Sequence, residues 1–360
     1  MATIARPSDA PALLLSTPAL VVDLDIFGAN VAAMEAMLQG TGTTVRPHVK
    51  THRTPELARR QLGGSAVGVT CATVGEAEAM VAAGIDDVFL ANEIVDPRKI
   101  ARLVALADRA RVAVAADAPE PVELLAAEAS RTGATIDVLI DVDILLHRCG
   151  VDSPEAAIAL AAVVERAPHL RLRGIMGYEG RLRPSEGDRA ARIVEAYAAL
   201  REVRDALDAA GFPVPVVSAA GTSTLAEAIA DPAITELQAG VYALMEPEIV
   251  GPQSPFQCAV AIRGTVISRH PDRVVLDIGR RVVGMEYGPP VPIGFTAERI
   301  AISDEHATID HPDPFPKLGY ALDLAPGQIR TTFNLHDQVW VARGGQLVDR
   351  WPVSARGSSQ

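Results

Sequence analysis

RVAVAADAPEPVELLAAEASRTGATIDVLIDV, residues 111–142, is the stretch that decides the fold. Residues 111–115 and 136–142 are short runs rich in β-branched and small apolar side chains, the texture of strands. The segment between them carries Leu, Ala and Glu at helical spacing. Pro119 opens that segment, where a missing N–H costs a helix nothing. Strand, helix and strand in this order form one βα crossover unit of a parallel sheet.

The same alternation extends outward from about residue 26 to residue 240. Strands are expected at 44–48, 67–71, 87–91, 111–115, 136–142, 172–178, 214–218 and 235–238. Helices are expected at 55–62, 74–83, 97–107, 119–131, 154–166, 186–210 and 223–230, with Gly84 and Gly211 closing two of them. Eight strands in strict alternation predict an α/β fold, a (β/α)8 TIM-type barrel spanning 26–247. A doubly wound open sheet is the alternative, but nothing would stop it at eight strands. After Pro247 the texture changes to short strand-like runs at 258–268, 273–276, 299–302, 339–342 and 346–351, broken by Gly and Pro. This predicts a separate C-terminal all-β domain, 248–360, with a polar, proline-rich loop at 304–316 and a frayed tail at 354–360. Residues 1–25 are expected to pack on or with that β domain.

A chain of 360 residues has room for two or three domains, and 49% apolar with 22% charged residues describes a globular protein. Acidic residues exceed basic ones by 45 to 33, for a net charge of −12. That charge repels phosphate backbones and anionic lipid, so neither nucleic acid nor a membrane surface is an expected partner. No apolar run reaches the ~18 residues of a membrane helix, and the early apolar stretch lacks a basic flank and a small-residue cleavage site. A cytoplasmic protein is expected, and three cysteines, Cys71, Cys149 and Cys258, without a C-x-x-C spacing suit a reducing compartment.

Chemistry in such barrels sits where the strands end. The first strand ends at His48-Val49-Lys50-Thr51-His52 and the second at Cys71-Ala72-Thr73. The fifth runs through Asp141 and Asp143 to His147-Arg148, and the sixth ends at Tyr178-Glu179. The seventh ends at Ser218-Ala219-Ala220-Gly221-Thr222-Ser223 and the eighth at Gln238-Ala239-Gly240-Val241-Tyr242. Lys50, Lys99 and Lys317 are the only lysines among 33 basic residues. A lysine at a strand end in an arginine-using chain points to the property arginine lacks, an amine that deprotonates and forms a Schiff base. Residues 218–224 lead from a strand into a helix, the usual place for a phosphate. Together they suggest pyridoxal 5'-phosphate.

Arg46-Pro47-His48-Val49-Lys50-Thr51-His52, with Ser16-Thr17-Pro18-Ala19 before it and Ala72-Thr73-Val74-Gly75-Glu76-Ala77 after it, resembles the D-threonine aldolase and D-serine dehydratase family. These are fold-type III pyridoxal phosphate enzymes related to alanine racemase, with an N-terminal barrel and a C-terminal β domain. The likeness continues through His147-Arg148-Cys149-Gly150-Val151, Gly177-Tyr178-Glu179-Gly180, Leu276-Asp277-Ile278-Gly279, Asn334-Leu335-His336-Asp337 and Trp351-Pro352-Val353, nearly the whole chain. It implies that Lys50 binds the cofactor covalently and that Arg148 sits near its phenolic oxygen. Gly221, Thr222 and Tyr242 would hold phosphate together with the loop from Ser218, and Gln238 and Tyr178 would face the cofactor. His52, two residues from Lys50, is the candidate acceptor of a substrate β-hydroxyl proton, since histidine titrates nearest neutrality. His147 is expected to pack or cap. The family also implies a homodimer that shares its sites head to tail.

The pattern breaks at one place. The family carries a divalent metal held by a His-x-Cys or His-x-Asp pair shortly before the Asn-Leu segment. Here Pro326-Gly327-Gln328-Ile329-Arg330-Thr331-Thr332-Phe333 runs into Asn334 without that pair, as if the loop were shortened. His306, Asp310, His311, Asp313, His336 and Asp337 are of ligating type but lack the spacing, so metal use stays open. The leading reading is a lyase that cleaves a D-3-hydroxy amino acid to glycine and an aldehyde. A D-serine or D-3-hydroxyaspartate dehydratase, or an amino-acid racemase, would use the same lysine. A noncatalytic pyridoxal phosphate-binding protein would not need the C-terminal domain, and a metal hydrolase barrel would need Lys50 as a carbamate or in a structural role.

Overall fold

A computed structural model describes residues 15–180, 182, 187–249 and 254–360. The chain divides into two compact units. One holds the residues up to Met34, Thr51–Glu56 and Val241–Gly357; the other holds Glu35–Lys50, Leu57–Gly240 and Ser358–Gln360.

The second unit is the barrel. Its parallel strands are Thr44–Val45, Val69–Cys71, Asp87–Leu90, Arg111–Ala116, Ile136–Val142, Leu170–Gly177, Val216–Ala219 and Glu236–Leu237. Consecutive strands from Val69–Cys71 onward pair in order. The last pairs with the first through Thr44↔Glu236 and Val45↔Leu237. Parallel bridges Val45↔Ala66 and His48↔Thr70 join the first to the second, so the sheet closes and the open-sheet alternative falls. Helices Val74–Ala82, Pro97–Ala105, Pro119–Thr132, Pro154–Arg166, Arg189–Ala209 and Leu225–Ala230 follow their strands. Their starts are set locally: Thr73, Asp96 and Ser153 each accept a hydrogen bond from a first-turn N–H. The expected helix start at 186 lies outside the described residues.

The barrel carries an apolar cluster of Phe89, Ala113, Ala115, Leu139 and Met176. Where the strands begin there is instead a charged layer. Buried Arg46 donates to Asp87 at 2.6 Å and to Glu236 at 3.0 Å. Arg173 stands 4.0 Å from each of these carboxylates and 3.8 Å from Asp137. Burial, with the charge of Arg46, lowers the Arg173 pKa. A charge this deep persists only because it is paired.

The other unit is built on a nine-stranded sheet, in the order Arg299–Ile302, Ala307–Asp310, Arg273–Leu276, Val260–Arg269, Ala19–Asp23, Gln338–Arg343, Gln346–Pro352. Ala321–Ala325 also pairs with Val260–Arg269 and carries Val291–Ile293 beyond it. Ala19–Asp23 is antiparallel to Val260–Arg269 and parallel to Gln338–Arg343. Helix Leu24–Leu38, which the sequence reading did not list, follows it. Asp23 Oδ1 accepts the N–H groups of Asp25 and Ile26 at the helix start. Asn30 latches the helix by donating to Ala243 O and Gln257 O and accepting from Gln257 N–H.

Three expectations need correction. The all-β reading of the C-terminal part omits a helix, Ile329–Leu335, capped by Gln328. The expected loop at 304–316 contains strand Ala307–Asp310, which pairs on both sides because Ala307 and Ile309 alternate inward. The expected frayed tail is docked: Ala355 N–H donates to Arg53 O at 3.1 Å, Thr73 Oγ1 to Ser358 O at 2.5 Å, and Gly75 N–H to Gln360 O at 3.1 Å.

Candidate active site

At the rim where the strands end, His48 N–H donates to Ala239 O, and Val49–Thr51 then makes a single 3-10 turn carrying Lys50. Tyr178 follows directly on strand Leu170–Gly177. Its ring centroid lies 6.0 Å from Lys50 Nζ and 5.8 Å from Arg148 Cζ, so two cations meet one aromatic ring. Arg148 rides on a folded-back loop. Asp143 N–H donates to Val151 O and Val151 N–H to Asp141 O, each at 2.9 Å, while Gly150 N–H donates to Asp117 at 3.0 Å. Gly150 sits at φ +106°, and a Cβ there would come 2.3 Å from Asp143 N, so the loop requires glycine. His147 is exposed and caps its own loop: its N–H and Nδ1 lie 2.9 and 3.1 Å from the Asp143 carboxylate oxygens.

After strand Val216–Ala219, Ala220 adopts φ +71° and Gly221 leads into the 3-10 turn Thr222–Thr224. A non-glycine residue in the left-handed region marks a turn held by its surroundings. The holder is Glu179, buried, which accepts from the Thr224 hydroxyl and from Gly221 N–H at 3.3 Å. Burial raises the Glu179 pKa, and hydrogen bonds from Thr224, Gly221 and Tyr197 oppose that rise. A Cβ on Gly221 would lie 3.3 Å from the Tyr178 ring, so this turn fits against the same tyrosine as Lys50 and Arg148. Ser218, expected to help hold phosphate, is elsewhere: fully buried, it donates to Glu236 at 2.7 Å and belongs to the charged layer. It points inward on its strand, one residue out of phase with the rim. Gln238 is half-buried, with Nε2 4.0 Å from Met176 Sδ.

Beside Arg148 lies a group the sequence reading did not assemble. One ligating atom each of Glu93, Asp117 and Cys149 lie within 4.8 Å of one another. Burial, then the hydrogen bond and charge of Glu93, push the Asp141 carboxyl up to about 8, and burial with Glu93 pushes the Cys149 thiol up to about 11. Glu93 and Asp117 follow strands Asp87–Leu90 and Arg111–Ala116. The strand-end rule, applied to strands three and four, would have named both.

His52 and Tyr242 belong to the other unit, where Tyr242 is buried with its ring 5.7 Å from Phe256. His52 is fully buried, edge-on to Phe333 at 6.4 Å between centroids. Thr54 N–H donates to His52 Nδ1 at 3.1 Å. With Nδ1 accepting, a neutral His52 ring carries its proton at Nε2.

The family's metal pair finds no counterpart. The segment forms helix Ile329–Leu335, and Gln328 caps it, its Oε1 accepting Thr331 N–H at 2.7 Å. Arg330, in the first turn, donates to Tyr287 OH at 2.9 Å and stands 3.8 Å from buried Glu246. An engaged amide and a guanidinium are the wrong donors for a divalent cation. Pyridoxal phosphate does fit the barrel rim, which offers an amine, a neighbouring guanidinium, a flat ring and a Gly221–Thr224 turn of backbone N–H and hydroxyl groups.

The alanine racemase N-terminal domain family ("Alanine racemase, N-terminal domain") matches residues 22–246, and the "Putative serine dehydratase domain" matches residues 259–342. The chain is 37% identical to the D-threonine aldolase of Arthrobacter sp. over 99% of its own length and 96% of that protein. It is 33% identical to the 3-hydroxy-D-aspartate aldolase of Paracoccus denitrificans (strain Pd 1222), over 95% and 92%. The crystal structure of D-threonine aldolase from Filomicrobium marinum superposes with a TM-score of 0.91 at 34% identity, covering 99% of this chain and 100% of that one. The barrel with its strand-end lysine, the C-terminal sheet and these end-to-end likenesses have one reading: the chain is an enzyme of the alanine racemase-like family whose barrel is joined to a serine dehydratase-type domain.

Proposed function

We propose that this chain is a pyridoxal phosphate-dependent lyase that cleaves the Cα–Cβ bond of a D-3-hydroxy amino acid, giving glycine and an aldehyde. The observation that carries the reading is Lys50 and Arg148 meeting the Tyr178 ring, with the Gly221 turn against the same ring. The aldolase activities named for the relatives support the reaction type. Pyridoxal phosphate held at this rim would supply a conjugated ring able to accept the electron pair of a Cα–Cβ bond. Lys50 would anchor it through its amine, and Arg148 would bring positive charge to its phenolic oxygen. The Gly221–Thr224 turn, with its Thr222 hydroxyl, would hold phosphate where it enters a helix, with Gln238 and Tyr242 as the further contacts that the family resemblance implies. Glu179 keeps that turn in shape from below by gripping Gly221 and Thr224. By the family resemblance His52 would meet the substrate's β-hydroxyl; its Nδ1 accepts Thr54 N–H, so a neutral ring would present its N–H from Nε2.

The active assembly is read as a homodimer, since fold-type III enzymes share sites between subunits; a stable monomer by light scattering in the active state would overturn this. No helix among the described residues is long and apolar enough to cross a membrane. The free cysteines fit a cytoplasmic location.

The test incubates holoenzyme, with and without EDTA, with D-threonine, D-serine and D-3-hydroxyaspartate. Glycine plus an aldehyde is expected. A 2-oxo acid plus ammonia would make it a dehydratase, and inverted substrate a racemase. Borohydride treatment should fix a pyridoxyl group on Lys50 and remove an absorbance at ~410–430 nm. A label on Lys99 or Lys317 would sink the site.

A further inference from the structure

We propose that Glu93, Asp117 and Cys149 bind a divalent transition-metal ion of the zinc class on the barrel rim, where the ion pins the loop that carries Arg148. All these residues belong to the barrel unit. Ala115 and Leu139 belong to the barrel's apolar cluster, and Asp117 and Asp141 stand two residues further along, so they continue the same inward face. The pairing Ala116↔Ile140 sets these two acids side by side. Glu93 comes from the connection after the neighbouring strand Asp87–Leu90, and Cys149 from the folded-back loop. The ligating atoms of Glu93, Asp117 and Cys149 lie within 4.8 Å of one another, and all three residues are half-buried, open enough for an ion to enter. Zinc holds its donors at about 2.0–2.3 Å, hence no more than about 4.6 Å apart, so small side-chain rotations close the set.

Asp141 shows independently that this layer wants a cation. It is only 4% exposed, yet among the described residues its carboxyl meets no N–H or hydroxyl donor and faces the Glu93 carboxyl instead. The opposite end of the barrel is built differently: Asp87, Glu236 and Asp137 are each met by a guanidinium, from Arg46 or Arg111. Here Arg148 turns to the Tyr178 ring and makes no ion pair with these acids among the described residues. Carboxyl groups gathered without a counter-charge repel one another, and a divalent ion supplies what is missing. Cys149, whose sulfur also reaches Glu93, selects the ion, because a soft thiolate suits zinc and not magnesium or calcium. Binding sends the Cys149 thiol proton to solvent and leaves the thiolate on the metal. Two ligands are already oriented from behind: Asp141 donates its carboxyl proton to Glu93, and Gly150 N–H donates to Asp117 at 3.0 Å. Cys149 follows Arg148 directly, so an ion on its sulfur fixes the backbone beside the guanidinium that faces Tyr178.

The experiment uses EDTA-dialysed holoenzyme, with Zn2+ counted by mass spectrometry after equilibrium dialysis and Co2+ as the optical probe. Wild type should take up Zn2+, and its melting temperature should rise with the Zn2+ concentration. Co2+ should add a thiolate-to-metal charge-transfer band, read as the difference from metal-free holoenzyme. Glu93→Gln and Cys149→Ser should each bind one equivalent fewer than wild type, a loss of affinity of about 100-fold or more, with cofactor absorbance and circular dichroism unchanged. Cys149→Ser should also lose the Co2+ band. If one variant does not fold, the other and the wild-type Co2+ spectrum decide. Three results overturn the proposal: wild type takes up no Zn2+; Co2+ binds without a thiolate band; or a folded variant binds as much Zn2+ as wild type, which would put the ion elsewhere in the chain.

Discussion

Arg46→Met keeps an unbranched side chain of similar length and removes the charge at the centre of the barrel's charged layer. Arg46 makes two charge-assisted hydrogen bonds, to Asp87 and Glu236, whose side chains are 19% and 4% exposed. At about 1.5–3 kcal/mol for each such bond the loss is roughly 3–6 kcal/mol. Stripping one partner from a buried ion pair independently gives about 3–5 kcal/mol. Arg173, 4.0 Å from both carboxylates, remains to compensate, so about 4 kcal/mol is expected. Urea unfolding followed by far-ultraviolet circular dichroism measures it: with m about 2–3 kcal/mol/M, the midpoint should fall by on the order of 1.5 M. If the damage comes from stranded negative charge, adding Glu236→Gln should restore part of the loss. A destabilisation below about 1 kcal/mol, or a double variant worse than the sum of its parts, would refute the account.

Other consequences can be checked singly. Because the native Asp141 carboxyl holds its proton to about 8 while the unfolded chain releases it near the ordinary 3.8, this group's contribution to stability falls as pH rises between these values. Asp141→Asn should therefore melt close to wild type at pH 5 and gain on it by pH 8; a gap independent of pH would contradict this. Gly150→Ala, with a Cβ driven onto Asp143 N at φ +106°, should open the Arg148 loop and weaken pyridoxal phosphate affinity, measured by fluorescence titration, at about 1–3 kcal/mol of backbone strain. His52→Ala should slow cleavage more than it weakens cofactor binding, and equal losses in both would assign His52 to packing alone.

The barrel was legible because its strands are short apolar runs that alternate with helices, three of which open on the capping side chains of Thr73, Asp96 and Ser153, so local signals and the final topology agree. What escaped was set by contacts distant in sequence. Helix Ile329–Leu335 carries two threonines, a phenylalanine and an asparagine, weak helix formers, and is held by Gln328 at its start and by Gly284 N–H on Thr332 Oγ1. Strand Ala307–Asp310 is only four residues among acidic, histidine and proline neighbours, and its pairing comes from strands on either side. At the site, Lys50, Tyr178, Arg148 and Gly221 could be named from strand ends alone. The inward turn of Ser218, the grip of Glu179 on the Gly221–Thr224 turn and the tautomer of His52 depend on hydrogen bonds that no spacing reveals.

Strand Ala19–Asp23 finds its neighbours at Val260–Arg269 and Gln338–Arg343, so its first partner lies roughly 240 residues downstream. At ~5–20 residues per second, a ribosome needs about 12–48 s to deliver that partner. During this interval the barrel can close, but the apolar strand ALVVD has both of its hydrogen-bonding edges bare. The nascent protein thus carries an aggregation hazard in this early-made strand until its partners are synthesised. Slow translation or truncation after the barrel should leave a closed barrel with an adhesive strand, and such a product belongs to chaperones and inclusion bodies.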